Sequence, residues 1–425
     1  MKKFTIWLLC LTMLVAAVSL AGCGAKAESA QTPEGVKTVD NNLEDMSWEE
    51  ILAEAKGQTV NWYAWGGSKP ANTFIQEKVA KRAAEYGVTL NWVTVSNLTD
   101  AINITLAEKQ AGLTNKGEVD MLWINGGNFM TAQQAGILFG PWAQKLENSK
   151  YVNWDSSTIN TDLGFPVNGM ESPWASTVRM QVYDTARTDI ETLPQNFNEL
   201  VEWIKANPGK YTYCPPPVFA GTRLIKEWIY NMIGDEVLTW DASKMSKEEF
   251  YEKTKPVWDL LEELHPYMWR EGTTFPKDIS EMDKMFSNGE IDLTYLFIGT
   301  GIEGKINEGV YPVTAKPYCM EQALGDTNYV AITYNSDNKA GAMVVANIIL
   351  EPEIQAMAAK DISFGPVLDV SRMSDTELTE FNDVISTIDQ DYYIPSDRIA
   401  QCKIPEFSGA FNSYIEAIWS ELFLK

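Results

Sequence analysis

The chain has 425 residues, with 34 Lys+Arg against 58 Asp+Glu, a formal net charge of −24 and a sequence pI near 4.5. So acidic a balance excludes a phosphate-backbone partner, which needs Lys and Arg, and electrostatic docking on an anionic membrane surface. A single histidine, His265, leaves one position for any His-dependent chemistry and rules out His-rich metal sites, whereas 15 Trp, 17 Tyr and 16 Phe supply many rings.

At the N-terminus, Lys2 and Lys3 precede an apolar stretch over 4–18 and then Leu20-Ala21-Gly22-Cys23. Charge, apolar run and small residues together predict an export signal. The last four residues resemble a bacterial lipobox, which implies removal of 1–22 as a lipoprotein signal peptide and acylation of Cys23. The mature chain would then be extracytoplasmic and held at the cell membrane by its N-terminal lipid, each buried CH₂ contributing ~0.8 kcal/mol. Residues 24–46 are polar and poor in large apolar side chains, as in a flexible tether. Tether and first helix together span 23–57. Cys214, Cys319 and Cys402 remain in the body without a CxxC spacing, so neither a zinc ribbon nor a disulfide framework is predicted, and any pairing among them stays open. No metal and no cofactor are expected.

In the body, short apolar strands alternate with amphipathic helices. Ser47 and Glu50 form a capping box for the first helix, which Gly57 ends. A strand is predicted over 59–64 (TVNWYA), then a helix with Ile75, Val79, Ala83 and Tyr86 on one face, a strand over 89–95, a helix over 100–111 and a strand over 119–124. This alternation implies parallel pairing through right-handed crossovers. The stretch 151–173 lacks periodicity and reads as an irregular approach to a domain crossing. A strand follows over 178–183. Phe197, Leu200, Val201 and Ile204 then mark a helix capped by Asn196 and Glu199, and Ile225, Trp228, Ile229 and Met232 repeat the spacing. Ser246 and Glu249 cap a third helix, strands are predicted over 292–298 and 329–334, and a helix over 340–350. Ser374 and Glu377 cap another helix, and a stripe from Phe411 to Leu422 marks the last.

Several segments carry a family resemblance: Asn61-Trp62-Tyr63-Ala64-Trp65-Gly66-Gly67, the run 119–127 (VDMLWINGG), the run 215–222 (PPPVFAGT), Asn328-Tyr329-Val330-Ala331-Ile332, and Asn338-Lys339-Ala340-Gly341-Ala342-Met343. On these the chain resembles the extracellular solute-binding proteins of ABC importers, and within them the YnjB-like, thiamine-type group of family 1, over roughly 58–370. The resemblance implies an α/β fold of the two-lobed periplasmic-binding-protein type (type II), with discontinuous lobes joined by a hinge. Lobe I would hold 58–172 plus 325–370, and lobe II 173–324 plus 371–425. It further implies a non-catalytic, monomeric receptor whose partners are a small-molecule solute and the transmembrane subunits of an ABC permease.

Ligands of open α/β sheets bind beyond the carboxyl ends of the strands. That rule selects Trp65, Gly66, Gly67 and Ser68 after the first strand, where a ring and a hydroxyl flank two glycines. It selects Asn125, Asn128 and Phe129 after the third. On the opposite lobe, the stiff Pro215-Pro216-Pro217 segment leads to Phe219 and to a helix expected to start near Gly221-Thr222, with Arg223 beside it. Thr300 closes a later strand, Asn328 precedes the return strand, and Trp174 stands at the crossing. The implied thiamine-like cation would stack between Trp65, Phe129, Trp174 and Phe219 and face one of Asp162, Glu171, Glu303 or Asp326. Each position has a plainer reading as a capped turn or core packing; His265 in particular reads as a helix C-terminal residue.

Sugars and polyamines are rival ligands for the same fold. A secreted hydrolase with paired carboxylates is the rival class, but no motif sets two acids in a defined relation. A surface adhesin without a small ligand is a third.

Overall fold

The computed structural model describes residue 43 and residues 45–296 and 301–424. Strands β1 (Thr59–Trp65) and β2 (Thr89–Val95) pair in parallel, Thr59 opposite Thr89 and Trp65 opposite Val95. The helix between them runs from Lys69 to Glu85 and widens into a π turn over Ile75–Val79. β3 (Met121–Ile124) lies parallel on the other side of β1. The predicted strand–helix–strand order therefore produces a parallel core.

The segment read as irregular contains a two-strand hairpin, β4 (Thr161–Asp162) with β5 (Phe165–Pro166), and the start of β6 (Glu171–Val178). β6 is followed after a single residue, Arg179, by β7 (Met180–Asp184). The strand predicted over 178–183 is thus divided at Arg179 between two sheets. β8 (Leu293–Leu296) and β9 (Ala315–Tyr318) flank β7 in a three-stranded antiparallel sheet. β10 (Ala323–Ile332) returns to the first sheet, antiparallel to both β3 and β6, and β11 (Lys403–Ile404) joins its beginning in parallel. The six-stranded sheet so formed and the three-stranded sheet are linked by β6–β7 and by β9–β10, with β11 a third passage.

Each sheet has its own core. The first gathers Trp62, Trp174, Val330, Met343 and Ile348, the second Trp228, Trp258, Phe286, Tyr295 and Trp419. The helix Lys339–Ile348 is buried after its first residue and approaches β1 so closely that a Cβ on Gly341 would sit 3.0 Å from Val60. The capping boxes form at Ser47, Ser246 and Ser374. One helix differs in placement from the sequence expectation. Asp375–Ile385, expected with the second lobe, packs through Phe381 and Ile385 on Ala356 and Ala359 of the helix Pro352–Ile362, which belongs to the first sheet. Its apolar stripe fixed that it must pack, not on what. Among the described residues no single helix is long and apolar enough to cross a membrane.

Candidate functional site

The carboxyl ends of β1, β2 and β3 open on one edge of the first sheet. After β3, Asn125 leads directly into the helix Gly126–Gln134. Gly126 sits at φ +56, and a Cβ there would lie 2.3 Å from Leu163, so only glycine fits. Its free N–H donates to Asp162 Oδ2 at 2.5 Å. The neighbouring helix Leu98–Gln110 starts at Asn97, whose side chain accepts from Thr99 N. Between these helices and the second lobe lies a cavity of about 490 Å³. Thr99, Ile102, Asn103, Leu106, Asn125, Gly127, Asn128, Thr131 and Leu163 wall it from the first lobe, Phe219 faces them from the second, and Asp326 and Glu406 form its floor. Leu163, Asp326 and Glu406 also line a small void of about 10 Å³ directly beneath, together with Asp162.

The floor is an assembly of buried charges. Glu406 accepts from Lys226 Nζ at 2.6 Å, and its other oxygen meets Arg223 Nε at 2.8 Å. Burial opposes its charged form, but Arg223 and Lys226 outweigh that and hold the carboxyl below its usual range. Asp326 has a looser contact, 3.5 Å from Arg223, and its Oδ1 has no hydrogen-bond partner among the described residues. Burial raises its pKa, with Arg223 acting against the rise. Asp162 Oδ1 is likewise without a partner. Burial, then the charge of Asp326, push Asp162 well above the carboxylate range against the Gly126 N–H. Glu171 is fully buried behind them with neither oxygen hydrogen-bonded among the described residues, and burial drives it toward its neutral form. Lys403 donates to the Asp326 carbonyl at 2.8 Å and to Thr327 Oγ1 at 2.9 Å, and burial lowers its pKa to about 8. Buried polar groups are normally satisfied, so the free oxygens of Asp326 on the floor and of Asp162 in the void beneath it suit a positively charged or hydrogen-bond-donating partner.

Of the residues selected from the sequence, the structure brings Asn125, Asn128 and Phe219 to this cavity. The Phe219 ring is 65% exposed, with the Arg223 guanidinium 5.3 Å from its centroid. Phe219 also opens its helix, Phe219–Ile233, two residues before the expected start. Gly221 is required there because a Cβ would come within 2.0 Å of the Cys214 carbonyl. Thr222 is consequently buried in the first turn. Trp65 is 52% exposed, but its indole lies back over Gly67 and is not on the cavity wall. Gly66 N donates to Val95 O and Ser68 Oγ caps the next helix at Ala71 N, so this loop is built as a strand-to-helix turn. Phe129 is fully buried with Ile102 and Tyr329, and Trp174, 1% exposed, packs edge-on against Trp62 and Trp123. Neither ring offers a face to a ligand, because both point into the cores flanking the sheet rather than beyond its edge. Asn328 Oδ1 accepts from Trp123 Nε1 at 2.9 Å. Glu303 is exposed and off the cavity wall. Thr300 and Cys23 lie outside the described residues. His265 closes the helix Lys247–Leu264 and bonds Tyr213 OH at 2.9 Å, and burial lowers its pKa to about 4.

Sequence reasoning missed Thr99, Asn103, Leu163 and Glu406. Thr99 and Asn103 stand four residues apart just inside a helix whose Asn97 cap was readable, so a face-by-face reading could have found them. Glu406 carries no local signal.

A two-lobed α/β molecule with a charged cleft between lobes is the architecture of a substrate-binding protein, and comparison with known proteins agrees. The model of the bacterial extracellular solute-binding protein family matches residues 77–380. Protein YnjB of Escherichia coli K12 is 34% identical over 332 residues, 77% of this chain and 84% of that protein. The chain therefore belongs to the bacterial extracellular solute-binding proteins. Among solved structures, the spermidine/putrescine substrate-binding protein PotD of Streptococcus pneumoniae superposes with a TM-score of 0.58 at 15% identity, covering 86% of this chain and 98% of that one. A ferric binding protein of Campylobacter jejuni gives 0.53 at 15% identity, covering 85% and 99%. These likenesses show the two-lobed fold. The protein is an extracytoplasmic, non-enzymatic receptor of an ABC importer, delivering its solute to the permease subunits.

Proposed function

We propose that the solute is a small organic cation of the thiamine type, captured in the 490 Å³ cavity between Asn125, Asn128 and Phe219 and held from below by Asp326, with Asp162 behind it. One observation carries this reading: Asp326 and Asp162 each keep a buried carboxylate oxygen without a hydrogen-bond partner, and each has a raised pKa. A cation arriving there would supply the missing partner and favour the charged form of both. Phe219 adds a face for a cationic ring. The resemblance to YnjB-like receptors favours thiamine over other cations. Lobe closure on the ligand follows a shift of an open–closed equilibrium about the β6–β7 and β9–β10 passages. We further propose that the receptor is a monomer anchored through acylated Cys23, so that Cys23→Ala releases it from the membrane fraction.

The ligand reading is tested by calorimetry with thiamine, spermidine and a neutral disaccharide against the parent and an Asp326→Asn variant. Thiamine binding that weakens at least tenfold in the variant supports it. Response to the disaccharide alone rejects a cationic solute, and response to spermidine alone rejects the thiamine type.

A further inference from the structure

Two of the described cysteines meet where the chain passes between sheets. Cys319 directly follows β9 and Cys402 directly precedes β11. Both are buried as free thiols. They share a small apolar cluster with Val178, Met180 and Ala323. Cys402 Sγ lies 3.8 Å from the Cys319 carbonyl oxygen, and Cys319 Sγ lies 3.7 Å from the Met320 carbonyl oxygen. Arg398 donates to that same carbonyl at 3.1 Å. The register that sets Ala323 opposite Lys403 holds the two segments together. The third described cysteine, Cys214, is in another core, 4.0 Å from Met282 Sδ. An extracytoplasmic protein with two cysteines side by side in one buried cluster is in a compartment where such pairs oxidise.

We propose that Cys319 and Cys402 form a disulfide that fastens the β11 passage to the β9–β10 passage. The oxidant is a disulfide, either a small one of the glutathione type or that of a dithiol oxidoreductase. The Cys402 thiolate attacks one oxidant sulfur, breaking its S–S bond and releasing a thiolate. Cys319 then loses its proton and attacks the Cys402 sulfur of the mixed disulfide, expelling the second thiolate. Two protons and two electrons leave the cysteines, and the oxidant becomes two thiols. Cys402 is the better first nucleophile, since its contact with Cys319 and the Arg398 charge lower its pKa while that of Cys319 is raised. The bridge closes a loop between residues 83 apart, long enough to restrict the unfolded chain substantially. It also fixes the neighbour of Lys403, which ties β11 to Asp326 and Thr327, and so anchors the strand that brings Glu406 to the cavity floor. The inference does not depend on which solute is bound.

The test is thiol mapping of the exported protein, alkylated under denaturing conditions with and without prior reduction and read by peptide mass spectrometry. A Cys319–Cys402 cross-linked peptide with Cys214 alkylated is expected, with a melting temperature that falls by several degrees on reduction in the parent but not in Cys319→Ser. Alkylation of all three thiols after incubation with excess glutathione disulfide, or a bridge involving Cys214, would overturn the proposal.

Discussion

Two sets of buried charges lie close together at the passage between sheets, and they are built oppositely. Arg179, the single residue between β6 and β7, donates through both Nε and a terminal nitrogen to Glu227, and the same carboxylate accepts from Leu324 N at 2.7 Å. That pair is closed: both side chains are almost wholly buried and their geometry is bidentate. Asp162 is equally buried and Asp326 only slightly more open, yet each keeps an oxygen with no hydrogen-bond partner among the described residues. Satisfied charge fixes the crossing of the chain, and unsatisfied acids lie at and behind the proposed solute cavity. The position of an acid in the sequence does not distinguish the two cases.

Substitutions can break this contrast. The largest effect is expected from Glu227→Ala, which strands the Arg179 charge in the interior and should destabilise the fold by about 3–5 kcal/mol in denaturant unfolding. Asp326→Asn should leave ligand-free stability nearly unchanged but weaken binding of a cationic solute by about 1.5–3 kcal/mol, read by calorimetry. If Asp326→Asn unfolds the protein as severely as Glu227→Ala, the contrast collapses.

Acidity sharpens the same comparison. The folded ligand-free pKa values of Asp162 and Asp326 are raised, so a proton would compete with the proposed cation more readily than at ordinary carboxylates. Cation affinity should therefore decline as pH falls, before exposed carboxylates titrate. For the ligand-free fold the sign is opposite. A raised folded pKa stabilises below the unfolded value and loses that contribution as pH rises. An affinity that is constant from neutral to acidic pH would remove these acids from the site.

Smaller effects separate the two exposed rings. Phe219→Ala should cost about 0.5–1 kcal/mol of binding, the range of an exposed cation–π contact. Trp65→Ala should change affinity least, because its indole rests on Gly67 away from the cavity. A larger loss for Trp65 than for Phe219 would move the ligand toward the β1 edge.

Much of the fold was legible because its signals are local. Ser47, Ser246 and Ser374 with their Glu partners placed three helix starts, and alternation of strands with helices gave the parallel β1–β3 arrangement. The site was legible only in part. The strand-end rule led to Asn125 and Asn128, and the triproline segment to Phe219. The same rule led to Phe129 and Trp174, which the structure buries, since an aromatic near a strand end looks alike in sequence whether it turns to core or to cleft.

The sequence by itself determined the family, the helix caps and the alternation that builds the first sheet, the last two of which depend on neighbours within a few turns of chain. Tertiary structure alone decided which acids are left open. Asp162, Asp326 and Glu406 come from three distant segments and share one small void, and only there is it settled that Glu406 meets Arg223 and Lys226 while the other two keep a free oxygen. The satisfaction of a buried charge depends on what folding brings beside it, and separation along the chain carries no record of that.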